Sequence, residues 1–168
     1  IHAEEAYIST AASPFSDAMA EKAMSLIGKN IRRFVANRGD IEAAESMLVG
    51  SLFAGIAFSF ARLGNVHAMS HPVSAFFDVP HGVANAVLLP VIAEYNALAD
   101  HGRYLTIYND ISPVPAYEEE FEPMMLVDAI RELCGEIGIP ANLTEAINNA
   151  SKTGLVSAEE IESKIEAM

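Results

Sequence analysis

The sequence predicts an all-α fold, a helical bundle, and three observations carry that prediction. Apolar residues recur at helical spacing between recognisable caps. No stretch alternates apolar and polar residues as a half-buried strand does. Hydrophobic residues make up 51% of the 168 and charged ones 20%, which is enough apolar mass for one core and too much for disorder.

The elements follow in order. Ser13 before Pro14 sets a capping hydroxyl ahead of a first-turn proline, and Asp17 suits the positive end of the same helix. Ala18, Ala23, Met24, Ile27, Ile31 and Phe34 continue it at helical spacing, and Gly39 stops it. Asp40 caps a second helix reaching about Arg62. Apolar residues surround that helix after Met47, as expected of one buried in a core. Residues 65–75 predict a further helix, and Pro80-His81-Gly82 a turn. Residues 83–98 predict another, kinked or divided at Pro90. Residues 112–123 hold three prolines and four glutamates and read as an exposed loop. Residues 124–138 return to helix, closed by Gly138-Ile139-Pro140. Ser157 to Glu160 is a capping-box pattern opening a last short helix.

Charge and cysteine content narrow the function. The net charge is −13, with 10 Lys and Arg against 23 Asp and Glu. That sign disfavours nucleic acid and anionic membranes. The acidic excess is expected on solvated faces. The longest uncharged run, residues 46–61, is shorter than the ~20 residues of a membrane span. The single cysteine, Cys134, excludes an internal disulfide framework, reads as a small core residue, and fits a cytoplasmic protein. The chain opens on Ile1 with no signal sequence, and it is expected to be a piece of a longer protein.

The chemistry sits in histidines. His67 and His71 are four apart, so a helix sets both on one face, and His81 follows at a turn. Imidazole suits zinc, iron, copper and nickel, so the cluster is a candidate metal site. The alternative is a set of partly buried hydrogen-bonding histidines. No Walker loop, Gly-x-Gly-x-x-Gly turn or Gly-x-Ser-x-Gly elbow is present.

The run from Gly64 to Pro90, GNVHAMSHPVSAFFDVPHGVANAVLLP, resembles the signature of the iron-containing alcohol dehydrogenases. Four other segments are similar to that family: HAEEAYIS from His2, SDAMA from Ser16, SLFAGIAF from Ser51 and LCGEIGIP from Leu133. The likeness covers roughly residues 1–143. Family members pair an N-terminal nucleotide-binding domain with a C-terminal helical domain holding the metal. Residues 1–168 match the helical, metal-binding domain alone, with the nucleotide-binding domain as its partner.

The resemblance implies the rest. The metal ligands would be His2, His67 and His81, with an aspartate four residues before His2 as the fourth. His71 would then face the nicotinamide and substrate as a catalytic residue, with His81 also near the cofactor. Phe58 would line the substrate cavity, or else serve as a core aromatic. The implied cofactors are Fe²⁺, with Zn²⁺ as a substitute, and NAD or NADP in the full-length protein. The implied reaction is reversible hydride transfer between a small alcohol and its aldehyde or ketone, in a homo-oligomer. A non-catalytic helical remnant and a glycerol-type polyol dehydrogenase are the competing readings.

Overall fold

The computed structural model of the chain describes residues 1–151 and 155–166. Those residues form helices and connecting turns without strands. In order they are α1 (His2–Ile8), α2 (Pro14–Ala36), α3 (Ile41–Ala61), α4 (Asn65–Phe77) and α5 (His81–Ala97). They continue as α6 (Arg103–Ile111), α7 (Pro123–Glu136), α8 (Leu143–Ala150) and α9 (Ala158–Glu166).

The long helices start where the caps predict. Ser13 and Ser16 form a capping box ahead of α2, with Pro14 in its first turn. Asp40 accepts the Ala43 amide at 3.0 Å at the head of α3. Gly138 takes a φ of 76° just after α7, a left-handed conformation that glycine adopts without strain. Residues 112–122 form the expected loop, pinned where Phe121 meets the Tyr108 ring.

Three short helices escape the sequence reading: α1, α6 and α8. Two of the three, α6 and α8, have a side-chain cap. Ile1 opens α1 without a side-chain cap. Asp100 receives the Arg103 and Tyr104 amides at the start of α6, two residues before its backbone cap Gly102. Asn142 caps α8 by accepting the Glu145 amide at 2.9 Å.

Pro90 does not divide α5, which runs unbroken through it. A proline lacks the N–H that would bond the carbonyl four residues back, here that of Ala86. The Cys134 thiol of α7 points at that freed oxygen from 3.8 Å. Cys134 is thus partly buried against α5, and burial pushes its thiol pKa up.

One expectation is corrected. α3 is not an all-round core helix. Its buried side is Ala43, Gly50, Ala54, Ala57 and Ala61, small residues that let α1 and α2 approach closely. Leu48, Leu52 and Phe60 stand 74%, 62% and 64% exposed. Sequence periodicity cannot say which apolar faces are covered, and this one stays largely exposed, with Phe60 meeting only the edge of the Phe15 ring. By length and composition alone α3 could also cross a membrane, the one such helix among them.

Two cores result. The larger joins α1 to α7 through residues such as Met24, Val66, Tyr104 and Leu126. The smaller gathers Val73, Phe77 and Val79 with Ala146, Ile147 and Ile161 of α8 and α9. Arg103 ties α6 to the start of the chain. It donates to the Tyr7 carbonyl at 2.6 Å, grips Asp17 through both terminal nitrogens, and lies over the Tyr7 ring. This clamp fixes α1, and with it His2.

Candidate metal centre

Three helices converge on one point. α1 supplies His2 from its first turn, α4 supplies His67, and α5 supplies His81 at its first residue. One ring nitrogen from each lies within 4.8 Å of the other two. The His2 ring stacks on His67 at 4.5 Å and on Phe58 at 4.7 Å between centroids. His71, one turn beyond His67, is exposed. Its ring stacks on His81 at 5.2 Å and meets His67 edge-on at 5.9 Å. The structure therefore brings His2, His67, His71, His81 and Phe58 into one cluster from four helices.

The chemistry of this donor set fits a divalent cation. His67 is 2% exposed. Its Nδ1 meets Glu5 Oε2 at 2.5 Å; a carboxylate only accepts, so the proton sits on Nδ1. That leaves a lone pair on Nε2. The Asn85 Nδ2 group donates at 3.1 Å both to that Nε2 and to Nε2 of His81. Two imidazole lone pairs thus converge on one partly positive group. Asn85 Oδ1, buried on the other side of the amide, has no hydrogen-bond partner. An unsatisfied buried carbonyl costs about 1–3 kcal/mol, so the arrangement serves the imidazole lone pairs at the amide's expense.

Electrostatics point the same way. Burial, followed by the neighbouring His67, lowers the His2 pKa to about 4. His81 is also lowered, first by burial and then by His67 and His71. Both rings are neutral near pH 7, the form that ligates metals.

Acids complete the surroundings. Glu4 and Glu5 are 6% and 3% exposed, two buried exceptions in an acidic chain. Glu4 lies beside a mostly apolar cavity of about 440 Å³ that also touches His2, His81, Asn85, Ile107 and Cys134. Burial raises the Glu4 carboxyl to about 7. Sequence reasoning missed Glu5 and Asn85 as participants. Their signals were present: an acid three residues after His2 on one helix face, and an amide four residues after His81 on another.

Comparison with known proteins agrees with this architecture. The family model described as "Fe-containing alcohol dehydrogenase family, C-terminal" matches residues 1–164. The chain is 42% identical over 151 residues to 1,3-propanediol dehydrogenase of Citrobacter freundii, covering 86% of this chain and 38% of that protein. It is 39% identical over 145 residues to lactaldehyde reductase of Escherichia coli (strain K12), covering 86% and 37%. A crystal structure of 1,3-propanediol oxidoreductase superposes with a TM-score of 0.79 at 35% identity, over 98% of this chain and 47% of that one. An iron-containing alcohol dehydrogenase from Thermococcus thioreducens gives 0.79 at 36% identity, over 99% and 39%. The chain thus spans less than half the length of these relatives.

Proposed function

The chain belongs to the Fe-containing alcohol dehydrogenase family, as its C-terminal domain, and on that premise we propose that it is the metal-binding half of an NAD(P)-dependent alcohol dehydrogenase. The reaction is reversible hydride transfer between a small alcohol and its aldehyde or ketone, with the dinucleotide carried by an N-terminal domain of the same protein. The observation that carries the reading is the meeting of His2, His67 and His81, with ligating atoms within 4.8 Å of one another. The names of the relatives, which include a propanediol dehydrogenase and a lactaldehyde reductase, support the substrate class.

His2, His67 and His81 would hold a divalent metal, Fe²⁺ with Zn²⁺ as a substitute. Bound there, it supplies Lewis acidity that favours loss of the alcohol proton and polarises a carbonyl. The remaining work falls to this chain's own side chains. The exposed His71 ring takes the proton released by the substrate and hands it to solvent. His71 and His81 border the nicotinamide. Phe58, half-buried and stacked on His2, gives the substrate an apolar wall.

Anaerobic titration with Fe²⁺ and Zn²⁺ tests the centre. Stoichiometric uptake by the complete protein, abolished in His67→Ala, is expected; undiminished uptake by the variant would refute the assignment. His71→Ala is expected to lower kcat by roughly 100-fold or more, the usual range for a lost proton-transfer group, while leaving metal uptake in place. Unchanged turnover would remove His71 from the mechanism.

A further inference from the structure

Glu5 is placed where no structural need of its own helix puts it. It lies three residues after His2, so both side chains project from the same side of α1. Its two oxygens do different things. Oε1 accepts the Val66 amide at 2.7 Å, in the first turn of α4. Oε2 accepts from His67 Nδ1 at 2.5 Å. The cap residue of α4, Gly64, has no side chain to do the first job, and Glu5 does it from another helix. A Cβ on Gly64 would stand 2.9 Å from Oε1, so glycine leaves the carboxylate its space. Among the described residues, Glu5 forms its one ion-pair contact with His67, and neither Lys nor Arg reaches it.

A buried carboxylate without a cationic side chain needs a reason. The charge is compensated if a dication lies on the far side of the imidazole. We propose that Glu5 is a positioning residue for the metal: it locks His67 as the Nδ1–H tautomer, aims the Nε2 lone pair at the ligand cluster, and strengthens that nitrogen as a donor. The proposal rests on the reading of His2, His67 and His81 as ligands. Carboxylate–imidazole–metal relays of this kind fix ring orientation and raise ligand basicity.

The two-oxygen geometry makes the tautomer testable. Gln at position 5 has one carbonyl oxygen for two donors, the Val66 amide and His67 Nδ1–H. If the oxygen keeps Val66, the NH₂ faces Nδ1 and drives the proton to Nε2, which blocks the ligating lone pair. Gly64→Ala reaches the same point without altering an acid or a ligand, by pushing the Glu5 carboxylate away from its seat.

The experiment uses the complete protein stripped of metal, with Co²⁺ as the probe. Affinity is read by competition with a chelator, ligand field by the visible absorption of bound Co²⁺, and the His67 tautomer by NMR of ¹⁵N-histidine. Glu5→Gln is expected to lower Co²⁺ affinity by roughly 10- to 100-fold, shift the absorption band and move the ring proton. Gly64→Ala is expected to act in the same direction with a smaller loss. A folded Glu5→Gln variant with wild-type affinity, band and tautomer overturns the proposal. Should Glu5→Gln not fold, unchanged affinity and band in Gly64→Ala overturn it equally. Co²⁺ uptake that fails in the wild type, or survives in His67→Ala, overturns the ligand assignment itself and this inference with it.

Discussion

Around His67, the side chains of Glu5, Ser70 and Asn85 are buried together in the heart of a helical assembly. Along the outer side of α3, Leu48, Leu52 and Phe60 meet solvent. Burial of apolar area accounts for neither region, although it dominates elsewhere in the cores. In the first, close-set hydrogen bonds hold nitrogen lone pairs in place. In the second, the fully buried contacts of the helix are alanine and glycine; Phe53 and Phe58 are partly buried against the core, while Leu48, Leu52 and Phe60 point outward. The difference teaches that residue type alone does not fix location in this chain: acids and amides are buried where hydrogen bonds hold them, and apolar side chains stand exposed.

The contrast can be broken at three points. The largest expected effect is at the polar interior. Glu5→Leu strands the Val66 amide and His67 Nδ1–H, each worth about 1–3 kcal/mol when left unsatisfied in a buried site. The denaturant midpoint of the helical domain, followed by far-UV circular dichroism, should fall accordingly. An unchanged midpoint would mean that water reaches both donors.

Next comes the inner side of α3. Ala57 is fully buried, and Ala57→Leu should cost about 1–3 kcal/mol by forcing α3 away from its neighbours. A neutral result would show that α3 is loosely seated. The smallest effect belongs to the outer side. Leu52→Lys should shift this domain's own unfolding by no more than about 0.5 kcal/mol, as exposed positions do. A large loss there would mean that the face is covered within the folded domain, and the two regions would no longer differ.

Much of this was legible in the sequence because it is written locally. Ser13-Pro14 and Asp40 announce α2 and α3 through groups adjacent to the helix ends they satisfy. The ends of α6 and α8 carry comparable signals in Asp100 and Asn142, but their helices are too short for periodicity to support. The exposure of Leu48 and Leu52 was illegible for another reason: an apolar residue does not state what covers it. Helical spacing draws attention to His67 and His71, four residues apart. The family likeness adds His2, which no spacing argument could join to His67. Glu5 lay unnoticed beside it, because a buried acid looks like any surface acid until its two hydrogen bonds are seen.

The separations along the chain also divide the cluster into a near part and a distant part. His67 and Asn85 are 18 residues apart, and the adjacent α4 and α5 bring them together across a short loop. Glu5 and His67 are 62 apart, and their contact closes a longer loop that contains α2 and α3. Loosening of α1 alone would leave His67, His81 and Asn85 together and remove His2 and Glu5. An ion held in that arrangement would have a more open cradle. The contacts of Arg103 with Tyr7 and Asp17 therefore help to keep the cluster closed, although neither residue touches it.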